Sequence, residues 1–346
     1  MPEIRRAREE QFRFAADTAG RRALLRHLPP PRGAPGKLRA PVLFIHGATF
    51  PSALAAGFRL DGESWMDAMS AQGYDVWALD FIGYGGSERY EVMRQPPEAN
   101  APLGRAPEAA RQIAAAVGFV RFNAVRASRQ PATRVSLIAH SWGSIPAGLY
   151  VSEHPEAVER LVQFGPIAPG RGTAPAAVGP AYVYVTEDDQ RSRFRGYVPK
   201  SEDEVFDAAH LAAWCPAYIA SDPTSHRRSP SSVAVPGGPA ADLDAADAGH
   251  LGYDPGAITV PVLIVRGEWD SVCTDADAQW LYDALTGTSI KRNVTISRGT
   301  HVMHLESSRV ALYREVAAFL DGDERPAPPR RDIKPLRAAP AWRGRS

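Results

Sequence analysis

Short apolar runs alternate with stretches of helical periodicity along most of this chain. Residues 40–46, 74–80, 134–139, 160–164, 260–266 and 291–297 are brief runs centred on Val, Ile, Leu, Phe or Trp, and each predicts a short core strand. Between them, residues 63–72, 107–128, 144–154 and 305–320 repeat apolar positions every three or four residues and predict amphipathic helices. The stripe is Ile113, Val117, Val120 and Ala124 in the second helix, and Val310, Tyr313, Val316, Ala317 and Leu320 in the last. Gly73 stands where it can end the first helix, and Pro146 falls in the first turn of the third, where proline is tolerated. Two further runs, 10–16 and 21–28, flank Asp17-Thr-Ala-Gly20 and predict a hairpin. Residues 29–36 and 49–62 are Pro-, Gly- and Ala-bearing loops.

Strands alternating with helices predict an α/β fold, with a mostly parallel sheet covered on both faces. The alternation fails beyond Phe164 and resumes near Val260. The chain therefore divides into a first core part at 1–165, an inserted, mainly helical cap at 166–257, a second core part at 258–322 and a Pro/Arg-rich tail at 323–346. In the cap, Ser201-Glu-Asp-Glu204 has the spacing of a capping box and predicts a helix reaching Ile219. Tyr182, Tyr184, Phe194, Tyr197, Phe206, Trp214 and Tyr218 supply aromatic side chains to pack the cap and line a pocket. Arg191, Arg193 and Arg195 alternate; they read as a solvated edge, the sharper alternative being a joint aim at a substrate carboxylate.

Composition narrows the class. With 346 residues, 44% of them apolar, the chain can bury a large core. Forty basic residues against 39 acidic ones leave a net charge of +1, so no overall field favours nucleic acid or a membrane surface. No apolar run approaches the roughly 18 residues of a membrane span, and the charged start lacks the apolar core of a signal peptide. Two cysteines, Cys215 and Cys273, make no disulfide framework. The expectation is a cytoplasmic protein.

The chemistry centres on Ser141. It follows the apolar strand ending in Ala139-His140 and precedes Trp142-Gly143 and a helix. A serine on such a sharp turn projects above the sheet as a nucleophile. It needs a base, an orienting group for that base and donors for an oxyanion. Asp270 lies just beyond the strand at 260–266, and His301 lies between the last strand and the last helix. Loops at the carboxyl ends of parallel strands converge on one edge, so the three side chains arrive together. The oxyanion donors would be the amides of Trp142, at a helix start, and Ala48, after Ile45-His46-Gly47. His304 competes with His301 on spacing alone. The pair could recruit a metal, but no third ligand stands at a convincing spacing, so neither metal nor cofactor is expected. Asp275 and Asp277 read as solvated, His46 and His140 as orienting or packing residues, and Glu306 as a first-turn helix residue.

In order, His46-Gly47-Ala48-Thr49, Asp80-Phe-Ile-Gly83-Tyr-Gly85-Gly-Ser87, Ala139-His-Ser141-Trp-Gly143, Arg266-Gly-Glu-Trp-Asp270 and Gly299-Thr-His301 resemble the α/β-hydrolase superfamily in its lid-bearing serine-hydrolase form. The resemblance spans residues 41–306. It implies an eight-stranded, mostly parallel sheet with the lid inserted after the sixth strand. It also favours His301, because Gly299-Thr300 forms the tight turn the family uses and His304 falls where relatives place a packing residue. Ala139 departs from the glycine common two positions before the serine, and the loop after Thr49 is longer than usual. The implied activity is hydrolysis of a small carboxylic ester or lactone. A carbon–carbon bond hydrolase or an acyltransferase would use the same three residues, and a ligand-binding receptor would retain them nearly silent.

Overall fold

The computed structural model describes residues 8–31, 39–128, 134–170 and 179–322. The expected tail at 323–346, the charged start at 1–7 and most of the loop at 29–36 lie outside the described residues. Eight strands form the central sheet: β1 (Glu10–Ala15), β2 (Arg22–Leu28), β3 (Val42–Ile45), β4 (Val76–Asp80), β5 (Val135–His140), β6 (Val158–Phe164), β9 (Val262–Gly267) and β10 (Lys291–Ile296). Their spatial order is β1-β2-β4-β3-β5-β6-β9-β10. The β1–β2 and β2–β4 pairs are antiparallel and every later pair is parallel.

Every residue of β3, β4, β5 and β9 is buried, as expected of strands covered by helices on both faces. One face carries α1 (Trp65–Ala71) and α8 (Arg309–Leu320). There Trp65, Met66, Met69, Leu312, Tyr313 and Val316 pack on Val42, Phe44, Ile138, Val162 and Leu263. The other face carries α2 (Ala106–Ser128), α3 (Ser144–Glu153) and α7 (Asp275–Ala284). Ile113, Val117, Val120, Ile145, Val151 and Leu281 close that side of the core.

Beyond β6 the chain leaves the sheet. β7 (Tyr182–Thr186) pairs antiparallel with β8 (Ser232–Pro236), and α4 (Glu187–Tyr197), α5 (Ala208–Ala220) and α6 (Gly238–Asp247) complete a mainly helical cap. Its two-stranded sheet was not among the sequence expectations. The predicted helix start at Ser201 is corrected: α5 begins at Ala208, capped by Asp207, whose carboxylate accepts from the amides of Ala209 and His210. Glu204 pairs with Arg195 instead. The last helix likewise starts at Arg309 rather than Leu305; Tyr313, Val316, Ala317 and Leu320 are buried as expected, Leu312 joins them, and Val310, in the first turn, is exposed. The long loop after Thr49 folds against the cap. Phe50 and Leu54 are buried there, and the Trp214 indole donates to the Leu54 carbonyl at 2.9 Å. Among the described residues, no helix is long and apolar enough to cross a membrane.

Candidate active site

Four strands deliver the residues of interest at their carboxyl ends. β3 runs into His46-Gly47-Ala48, β5 into Ser141, β9 toward Asp270 and β10 toward His301. Ser141 has φ +55°, one of three non-glycine residues with a left-handed backbone among those described. That strained turn ends the strand abruptly and begins a helical turn over Ser141–Gly143 that continues into α3. The turn is tight enough that a Cβ on Gly143 would sit 2.5 Å from the His46 carbonyl oxygen. Ala139 is fully buried, and its methyl is accommodated where the family usually has glycine.

The structure brings three of the predicted side chains together. His301 Nε2 lies 2.8 Å from Ser141 Oγ, and His301 Nδ1 lies 3.0 Å from each Asp270 oxygen. All three residues are buried. Asp270 Oδ1 also accepts from the amides of Val272 and Cys273, both at 2.9 Å. Burial alone would raise the Asp270 pKa. The charge and hydrogen bond of His301, with the two amides, outweigh it and hold the carboxyl below the usual aspartate value. An ionised Asp270 requires its imidazole neighbour to present Nδ1–H, which leaves Nε2 free to accept from the serine hydroxyl. The remaining candidates, Ala48 and Trp142, are the chain neighbours of Gly47 and Ser141. A Cβ on Gly47 would stand 3.1 Å from Ser141 Cβ, so the Ala48 loop passes directly beside the serine.

The surrounding histidines hold the loops. His46 donates from Nδ1 to the Gly47 carbonyl at 2.7 Å and accepts at Nε2 from the Phe81 amide at 3.2 Å. Burial lowers its pKa, although Asp80 and the Gly47 bond oppose the shift. His140 stacks on Phe164 and directs Nε2 at the His301 carbonyl, 2.9 Å away. Burial, then His304 and His301, push its pKa well below the usual histidine value. It is therefore neutral and donates to that carbonyl. His304 packs between Phe50, Phe164 and His140, and burial brings its pKa to about 3. Of the two histidines in this loop, His301 alone reaches Ser141. Asp80 is a buried strut: its carboxylate accepts from the Ser52 amide and hydroxyl and from the Gly86 amide.

One further residue went unread in the sequence, and others take places the sequence did not predict. Gly165, just after β6, has φ +51°, and a Cβ there would lie 2.9 Å from Asp270 Oδ2 and 3.1 Å from His301 Nδ1. Only glycine leaves room for that pair; its place immediately beyond a core strand was the available signal. Glu306 is not on α8. Its carboxyl group accepts from the Thr300 amide at 2.9 Å and lies against the Thr300 hydroxyl, clasping the loop that holds His301. Asp275, expected to be solvated, is exposed but pairs with the buried Arg266, and Asp277 completes a capping box with Thr274. Among the described residues, no group of three or more His, Cys, Asp or Glu is placed to hold a metal ion. Cys273 is a buried free thiol, and burial pushes its pKa far up.

An eight-stranded, mostly parallel sheet with a cap inserted after the sixth strand, and a serine on a strained turn after the fifth, define the α/β-hydrolase class of enzymes. The sequence matches the model of the alpha/beta hydrolase family over residues 42–315, and the chain belongs to that family. No curated protein matches it. Among solved structures, it is similar to a serine hydrolase from the polyaromatic hydrocarbon-degrading bacterium Cycloclasticus zankles (13% identity, 91% of this chain and 99% of that one, TM-score 0.60). It is similar to 2-hydroxy-6-oxo-6-phenylhexa-2,4-dienoate hydrolase from a Rhodococcus strain (17% identity, 90% and 99%, TM-score 0.59). It is also similar to an esterase from Exiguobacterium antarcticum (17% identity, 89% and 98%, TM-score 0.58). At these identities the likeness is one of fold.

Proposed function

We propose that the chain is a serine hydrolase that cleaves a small carboxylic ester or lactone through an acyl-enzyme. The observation that carries this reading is the unbroken line from Asp270 through His301 to Ser141, at 3.0 and 2.8 Å. His301 Nε2 takes the hydroxyl proton as Ser141 Oγ bonds to the carbonyl carbon. The carbonyl electron pair moves onto oxygen, where the amides of Ala48 and Trp142 stabilise it. Asp270 stabilises the resulting imidazolium. His301 then gives the proton to the departing alkoxide as the tetrahedral species collapses to the acyl-enzyme. In the second half, His301 deprotonates water, which attacks the acyl carbon, and the proton returns to Ser141 as the acid leaves. Every group in this sequence belongs to the chain, so the reading calls for no cofactor.

The test is steady-state hydrolysis of p-nitrophenyl butyrate by the wild type and by Ser141→Ala, with fluorophosphonate labelling alongside. The expected result is a loss of about 10⁴-fold or more in kcat, with the label on Ser141 of the wild type alone. Equal rates in both proteins and no label on Ser141 would point to a binding protein with a silent site.

A further inference from the structure

Three arginines occupy alternate positions of α4, and the structure treats the middle one differently. Residues four apart share a helix face, and a residue between them points away from it. Arg191 pairs with Glu187 at 2.7 Å and Arg195 with Glu204 at 2.9 Å, both toward the outside. Arg193 turns inward instead. Its guanidinium lies over the rings of Phe50 and Phe194, 5.8 and 5.3 Å from their centroids. Its Nε and Nη2 are buried and have no hydrogen-bond partner among the described residues. Burial works against its charge, and among the described residues the titratable groups acting on it are the phenols of Tyr197 and Tyr218, not a carboxylate.

The same helix reaches the site. Tyr197, one turn along the same helix, stands edge-on to the His301 ring at 5.7 Å. Phe50, beneath Arg193, stacks on His304, and the Arg193 charge is felt at His140, the neighbour of Ser141.

The unpartnered atoms matter more than the charge. Nε and Nη2 form the side edge of the guanidinium, which grips a planar carboxylate with two parallel hydrogen bonds. This protein uses that edge elsewhere: Arg39 holds both Asp321 oxygens through Nε and Nη2 at 2.7 and 3.1 Å, and Arg59 holds Asp67 at 2.8 and 3.1 Å. At Arg193 the edge is buried and unpaired among the described residues, and a buried cation without an anion is costly. We propose that the Nε–Nη2 edge of Arg193 receives a carboxylate borne by the substrate, so that the substrate class is an ester or lactone carrying a free carboxylate. This rests on the hydrolytic reading for the reaction, though not for the binding.

The test compares kcat/KM for two anionic esters with their neutral counterparts. Mono-p-nitrophenyl glutarate, with its carboxylate on the acyl side, is set against p-nitrophenyl pentanoate. p-Butyryloxybenzoate, with its carboxylate on the leaving group, is set against phenyl butyrate. At least one anionic ester is expected to exceed its counterpart, and Arg193→Met is expected to reduce that ratio by about 30-fold or more. Arg193→Lys should recover part of it. Because a buried substitution can disturb folding, calorimetry on Ser141→Ala, with and without Arg193→Met, is the second measurement, using glutarate and p-hydroxybenzoate as probes. One of the two should bind, and binding should vanish in the double variant. No anionic preference in the wild type, or a preference that survives Arg193→Met, overturns the proposal even if the esters are cleaved. Arg193-dependent binding without ester cleavage sustains the carboxylate site and removes the hydrolytic reading instead.

Discussion

At Asp270 one oxygen holds several hydrogen bonds at once. Oδ1 accepts from the amides of Val272 and Cys273 and faces His301 Nδ1, with Oδ2 equally near. In Asp270→Asn those two amides would keep the amide oxygen, leaving the NH₂ group to face His301. A donor there demands an acceptor at Nδ1, which moves the imidazole proton to Nε2, where it can no longer take the serine proton. The variant is expected to fold normally and to lose about 10³–10⁴ in kcat, measured as ester turnover beside a thermal melt. A fully active Asn variant would remove Asp270 from its orienting role. At this scale the sequence was most legible at Ser141, where the strand before it and the helix after it announce a sharp turn, whereas His301 was separated from His304 only by the turn at Gly299-Thr300. The sequence was least legible where only orientation matters. Arg191, Arg193 and Arg195 are identical in kind, and their directions emerge only when α4 docks. Gly165 has no side chain to announce the imidazole it makes room for.

Elements meet at a second carboxylate. Asp242 on α6 accepts from the Trp142 indole at 3.0 Å and from the Ala106 amide at 2.7 Å, and it pairs with Arg105. The cap helix, the start of α2 and the turn beside Ser141 are thereby fastened to one buried side chain. Asp242→Ala strands the indole and the amide without an acceptor. It is expected to cost about 2–3 kcal/mol of unfolding free energy in urea, and to lower ester turnover because Trp142 loses its anchor. A melt unchanged within error would show that the cap is held by apolar packing alone. The core elements were readable because strand and helix periods hold there without interruption. The cap was less so, and the capping boxes along the chain show why. Ser64 with Asp67, Thr186 with Asp189 and Thr274 with Asp277 all start helices, each closed by the short aspartate. Ser201-Glu-Asp-Glu204 has the same spacing, but Glu204 is drawn away to Arg195 and Asp207 caps the helix. Long-range pairing overrides a local motif when its partner is already in reach. β7 did carry a local signal, Tyr-Val-Tyr-Val-Thr, which alternates as a strand should.

Over the whole molecule, the site makes stability depend on pH. His46, His140 and His304 are buried with depressed pKa values, so each is neutral in the folded state and takes up a proton on unfolding below about pH 6.5. Stability that depends on their neutrality is present above that pH and is lost as pH falls. Glu306 acts in the opposite sense. Burial pushes its carboxyl up to about 7, against its bonds from Thr300, so it stays protonated in the folded state and releases its proton on unfolding. Its contribution is present below the unfolded value near 4.5 and is lost as pH rises toward 7. Near pH 5 His140 and His304 together take up about two protons on unfolding, His46 adds uptake in the same direction, and Glu306 returns most of one. The net uptake makes stability climb with pH, most steeply near pH 5 and less as pH approaches 6.5, where the unfolded imidazoles lose their protons. Urea denaturation at intervals from pH 4.5 to 6.5 should show that flattening climb. Glu306→Gln retains an acceptor for the Thr300 amide but has no proton to release, so its slope should be steeper by about 1 kcal/mol per unit. The gap between the two proteins isolates Glu306 from every other titrating group. Parallel curves would mean that Glu306 is ionised in the folded protein, and that it holds the His301 loop as a carboxylate rather than as a proton-bearing carboxyl group.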